Sequence, residues 1–182
     1  MTKFVKIVDH GWEHMMEAAA DLDGKTVLAG VFDDGTREKP KKGSKKPPSN
    51  VDIAIWQEYG VHIPVSVNMR WYLYFSGLHL KPSTTMIHIP ARPFMTRAAN
   101  KKGKRWQELS DALVGQIFFK SIPVPVALAK LGAAMQGDIQ KELASGRFKR
   151  LHPFTIRRKK SNRPLVDTGQ LRQAVSFKVR DL

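Results

Sequence analysis

His10, Glu13 and His14 fit the pattern HxxEH, in which two histidines one helical turn apart hold zinc and the glutamate between them acts as a base. That chemistry needs a third ligand from a downstream element, and no downstream motif supplies one. Gly11 also weakens the helix that would have to present the pair. The expectation is two polar histidines on the solvent face of an amphipathic helix, with no zinc and no hydrolase activity. A second pattern, Ala19 followed by Gly24, Lys25 and Thr26, matches the loose form of a phosphate-binding loop. A phosphate loop follows a strand and opens a helix, so that the helix N-terminus faces the anion. Here the periodicity places a helix before the glycine and a strand after it, so the backbone amides would point away from a phosphate. Asp52 and Glu58 lie six residues apart and face different directions on one helix, which excludes a carboxylate pair. The chain has no cysteine, which removes disulfides, thiol catalysis and cysteine-bound metal clusters. No enzymatic activity and no cofactor are expected.

With chemistry of that kind set aside, charge is the next candidate for function. The chain carries 31 Lys and Arg against 16 Asp and Glu, a net charge of +15 over 182 residues. The excess is segmental. Arg37, Lys39, Lys41, Lys42, Lys45 and Lys46 lie in one stretch with Glu38, and Lys101, Lys102, Lys104 and Arg105 in a second. The third, residues 147–163, holds Arg147, Lys149, Arg150, Arg157, Arg158, Lys159, Lys160 and Arg163. The remainder is nearly neutral. The first and third stretches contain Pro40, Gly43, Pro47, Pro48, Gly146, Pro153 and Pro164, so they are expected as exposed basic loops facing an acidic partner or a phosphate backbone.

The elements that must carry these residues follow from periodicity. Trp12, Met15, Met16, Ala19 and Leu22 predict a helix over 10–22, with Asp9 as its N-cap and Gly24 just past its end. Residues 26–32 predict a strand that opens onto Asp34-Gly35. Ser49 or Asn50 can cap a helix whose Val51, Ile55 and Tyr59 share one face and which Gly60 ends. The aromatic-rich 69–80 segment fits a helix or a hairpin, and 86–89 a strand ended by Pro90. A long helix over 95–120 carries Trp106, Leu109, Leu113 and Ile117 in register. After Pro123 and Pro125, a second long helix runs to Gly146 with Leu128, Leu131, Met135, Ile139 and Leu143 as its stripe. Residues 174–179 alternate as a closing strand. The four tryptophans are expected as core or interface anchors. The predicted fold class is α+β: a small, mostly antiparallel sheet flanked by helices, with long basic loops, in a single domain over 1–182. A flexible basic loop is expected at about 37–50 and an inserted segment at about 61–85. No apolar run approaches the ~20 residues that cross a bilayer, so no membrane contact is expected and the chain is predicted to be made in the cytoplasm.

Four ordered stretches resemble the neck and tail-completion proteins of tailed bacteriophages, the virion morphogenesis group that includes chains like minor tail protein Z. Residues 53–60, IAIWQEYG, are similar to that group's iA..qEyG segment, and residues 89–95, IPARPFM, to its IPARPFL motif. Residues 155–159, TIRRK, resemble its TIxRK approach, and residues 164–172, PLVDTGQLR, its PLxDTGxLR. The resemblance covers 51–180 and implies a structural virion protein without catalytic activity. It further implies a homo-oligomeric ring, a hexamer in this reading, at the head–tail junction, abutting other phage neck, connector and tail proteins. DNA in the channel is a further contact it allows. The segment over 65–83 departs from the pattern as an elaboration whose exposed face could meet a partner.

Within that reading Pro90 and Pro93 set the backbone around Arg92, Phe94 anchors inward, and Asp167 or Thr168 with Gly169 aims Leu171 at the core. The expected partner-facing residues are Lys41, Lys42, Lys45, Lys46, Arg92, Arg157, Arg158, Lys159 and Lys160. The other reading is a monomeric basic protein that grips nucleic-acid phosphates through the same charged loops.

Overall fold

The computed structural model describes residues 11–32, 48–120, 122–159, 164–165 and 169–181. The elements in chain order are α1 (Trp12–Leu22), β1 (Lys25–Val31), α2 (Asn50–Tyr59), β2 (Val61–Pro64), α3 (Val67–Phe75), β3 (Met86–Ile89), α4 (Phe94–Lys120), α5 (Val124–Ala144), α6 (Pro153–Lys159), α7 (Gln170–Gln173) and β4 (Val175–Asp181). The class is α+β. Among the described residues the strands make two separate two-stranded sheets, β1 with β4 and β2 with β3, where the sequence predicts one sheet. The chain divides into two compact units, and α4, α5, β1 and β4 each contribute residues to both. No described helix is long and apolar enough to cross a membrane.

The described residues of the first unit fall within Met1–Ala29, Lys104–Met135 and Phe177–Leu182. Its core joins Ala18 of α1 to Leu113 and Ile117 of α4 and to Val124, Ala127 and Leu128 of α5, with Leu109 and Leu131 packed alongside. On α4 and α5 the stripe read from the 3.6-residue period is present, whereas on α1 Ala18 is the buried residue and Trp12, Met16 and Ala19 of the expected stripe are exposed. The N-cap of α1 is Gly11 at φ 91°, with no side-chain cap, and the Asp9 expected there lies outside the described residues. Gly132 faces the ring of Phe177 so closely that a Cβ would collide with it. Lys25 at the start of β1 donates to Asp181 at the end of β4 across 3.2 Å, as an antiparallel pair allows.

The described residues of the second unit fall within Gly30–Gly103 and Gln136–Ser176. Ser49 opens α2 with a capping box: Asp52 N donates to Ser49 Oγ at 3.1 Å, and Ser49 N donates to Asp52 Oδ2 at 2.8 Å. The predicted apolar face of this helix is rotated. Asn50, Ala54 and Glu58 are buried, while Ile55 and Tyr59 are exposed, because Glu58 is claimed by a bonding site described below.

The 69–80 segment, read as helix or hairpin, contributes to a helix, α3, which ends at Phe75. Strand β2 pairs antiparallel with β3, Val61 opposite Ile89 and Ile63 opposite Ile87, and the connection holds α3. His62 and His88 lie opposite each other on the outer face with rings 4.4 Å apart. Ser66 caps α3 by accepting from Met69 N at 3.2 Å, and Arg70 ties the returning chain by donating to the carbonyls of Lys81 and Thr84.

Candidate functional site

The segments that carry the sequence motifs come together in the second unit, and their chemistry there is positional. Pro90 and Pro93 each fix φ and lack an N–H, so the chain between β3 and α4 must be held by other groups. The N–H of Arg92 donates to the carbonyl of Gln57 on α2. Gly60 has φ 77°, and a Cβ there would sit 2.9 Å from both Ala91 N and Ile89 O. Only glycine lets the end of α2 approach the 89–91 backbone so closely.

Glu58 is the anchor of this junction. It is 4% exposed, and its carboxylate accepts from Met95 N at 3.0 Å, Thr96 N at 2.8 Å and Thr96 Oγ1 at 2.6 Å. These are the first-turn amides of the 27-residue α4, which has no acid in its own first turn. A carboxylate borrowed from α2 supplies the negative charge that a helix N-terminus favours. Phe94, fully buried beside it, anchors inward as the proline-framed motif predicts.

Arg92, expected among the partner-facing residues, is only 5% exposed in this chain. Its Nε donates to Lys149 O at 3.2 Å, and its Nη1 donates to Gln57 Oε1 at 3.2 Å and to Pro90 O at 3.5 Å. All three acceptors are neutral. Burial pushes its guanidinium below the usual arginine pKa, with no carboxylate to offset the desolvation. By contrast, Glu142 of α5 is bracketed by Arg97 at 3.0 Å and Lys101 at 2.7 Å, so the 101–105 cluster is partly neutralised inside its own unit.

Of the remaining predicted partner residues, Lys41, Lys42, Lys45, Lys46 and Lys160 lie outside the described residues, as do the Asp167-Thr168 turn and His10. Arg157 and Arg158 are exposed and Lys159 half-buried. They sit on α6, where a loop is expected, and Arg158 lies over the ring of Tyr72 at 5.4 Å. Leu171 on α7 is buried as predicted. His14 donates through Nε2 to Ile117 O at 3.4 Å. Among the described residues no group of three or more potential ligands is placed to hold a metal ion. Gly24 follows a helix and Lys25 begins a strand, which is the wrong context for a phosphate loop.

Two surface features stand out. The first is the exposed face expected of the 65–83 segment: Trp71, Tyr72, Tyr74 and Phe75 of α3 are all exposed, Phe75 at 80%, and the rings of Trp71, Tyr74 and Phe75 contact one another. This is an apolar face on the inserted segment. The second is an open cavity of about 810 Å³ within the same unit, with Ile53, Leu73, Leu78, Ile87 and Phe154 in its apolar walls. Arg92, Lys149, Arg150 and Lys159 supply its charge, and none of the described lining residues is acidic. Of the tryptophans expected as core or interface anchors, Trp12, Trp56 and Trp71 are exposed, which leaves only the interface role open to them. No protein-family model matches the chain, and neither a curated protein nor a solved structure does.

Proposed function

We propose that this chain is a structural assembly subunit, a neck or tail-completion protein of a tailed phage, which forms a ring joining the tail to the head connector. The observation that supports this reading best is the exposed aromatic face of α3. Four large rings held in water are costly for a lone subunit and typical of a surface that meets another protein. The motif residues agree with an assembly role, because Gln57, Glu58, Gly60 and Arg92 all fix the angle between two helices and a hairpin. None of them is arranged to act on a substrate.

The bases at 157–160 then serve docking. Arg157, Arg158, Lys159 and Lys160 are consecutive in the sequence, and a ring repeats them once per subunit, so individually small surface attractions add. The test is in vitro joining of heads and tails that lack this chain. Wild-type protein is expected to restore joining. The variant with all four bases changed to serine is expected to fold, by circular dichroism, and to join poorly at low and physiological salt. Full joining by the folded variant would refute the docking role. A chain that never enters particles, yet binds DNA as a monomer with steep salt dependence, would establish the nucleic-acid reading instead.

A further inference from the structure

Arg92 is a buried cation whose three acceptors are all neutral, and it stands in the wall of an open cavity whose described lining residues include no acid. Lys149 and Arg150 lie exposed at the same cavity, and Lys159 half-buried. Such a site is complementary to a carboxylate carried on an apolar surface: the cations match the charge, and Leu73, Leu78 and Phe154 match the apolar part. A nucleic-acid backbone would satisfy the charge and leave the apolar walls bare.

The same chain carries an element of that chemistry. Helix α1 has Glu13, Glu17 and Asp21 at four-residue steps and no lysine or arginine. Trp12 and Met16 are exposed beside them, on the side away from Ala18 and Leu22, which pack in the core. Of the described helices only α2 is likewise acidic without bases. Its Asp52 is used in the capping box and its Glu58 in holding α4.

We propose that the cavity of the second unit is a socket for α1 of a second copy of this chain, with Met16 entering the apolar walls and Glu13 and Glu17 meeting the Arg92, Lys149 and Arg150 cations. The contact is heterologous, since socket and plug are different surfaces, and repeated contacts of that kind close into a ring when the rotation between copies allows it. The inference rests on the assembly reading for its biological setting, while its test is separate.

Self-association of the full chain is measured by sedimentation velocity for wild type, Arg150→Glu, Glu17→Lys and the double variant, each checked for folding by circular dichroism. Each single reversal is expected to weaken association about tenfold, and the double variant to recover most of the loss. The cysteine-free background allows a second measurement: Met16→Cys with Leu78→Cys is expected to give disulfide-linked dimers and higher species on a non-reducing gel. Association untouched by either reversal, with no cross-link, would overturn the socket while leaving the head–tail joining result to judge the assembly reading. A monomer at every concentration would overturn it as well. So would Arg150→Glu abolishing binding of the chain to isolated heads, tails or an oligothymidylate without changing self-association.

Discussion

Replacing Glu58 by alanine removes the only negative charge bonded to the start of α4 among the described contacts, and the cost can be worked from the geometry. Three donors lose their acceptor, two of them backbone amides of the first helical turn. Bonds to a charged group contribute roughly 1.5–3 kcal/mol each when broken singly, but water reaches the first turn in the variant and recovers part of that. The charge–dipole contribution adds up to about 2 kcal/mol in a partly buried setting. The expected loss is therefore about 3–5 kcal/mol, a large share of the ~5–15 kcal/mol that stabilises an ordinary domain. Glu58→Gln keeps an acceptor for Thr96 but sets an amide N–H₂ against Met95 N–H and lacks charge, so about half the loss is expected. Urea unfolding followed by circular dichroism gives both numbers, and a double-mutant cycle with Thr96→Val isolates the hydroxyl bond at about 1 kcal/mol. A loss below about 0.5 kcal/mol for Glu58→Ala would refute the claim that this carboxylate holds α4 to α2.

Two further outcomes follow from single positions. Gly60→Ala is expected to cost about 2–4 kcal/mol, since positive φ strain adds to a collision with Ile89 O and Ala91 N, whereas Gly77→Ala, at φ 86° with open space around it, is expected to cost only ~1 kcal/mol; thermal melts of the two variants side by side check the difference. The Lys25 ammonium is raised above its ordinary 10.5, first by its hydrogen bond and then by its attraction to Asp181, with Asp21 adding to it. Its contribution is therefore fully present below 10.5 and lost as pH climbs through the raised folded value. Salt should shrink this small surface effect, and NMR titration of the Lys25 side chain in wild type and Asp181→Asn is expected to give a lower midpoint in the variant.

The long helices were legible because their apolar stripes were regular and met each other. Leu113 and Ile117 on α4 and Leu128 on α5 keep their period and form the first unit's core. Strands β1, β3 and β4 were legible from alternation bounded by turns. What failed did so where a polar residue was worth more buried than an apolar one. Helix α2 exposes Ile55 and Tyr59 because Glu58 must face the α4 amides and Asn50 is buried on the same side. Hydropathy ranks residues by transfer from water and is blind to a partner 37 positions away. The signal was nonetheless present: a 27-residue helix with no acid in its first turn needs an anion from elsewhere, and the only glutamate of α2 lies three residues before β2, whose antiparallel partner β3 leads into that helix.

The same reasoning explains why the burial of Arg92 was not legible in the sequence and why it is informative. Its flanking prolines fix the direction of the backbone, and direction alone cannot tell a side chain that reaches outward from one that reaches under a neighbouring segment. The carbonyls of Lys149 and Pro90 and the amide of Gln57 settle it by offering acceptors inside. Neutral acceptors satisfy the hydrogen-bond geometry of a guanidinium without neutralising its charge, and within the unit Glu142 is already held by Arg97 and Lys101. The imbalance is confined to one wall of one cavity, where an anion could approach from outside the fold. A buried charge that the described residues leave uncompensated is better explained by what it meets in an assembly than by the stability of the isolated subunit, since replacing it with an apolar side chain would cost the lone fold less.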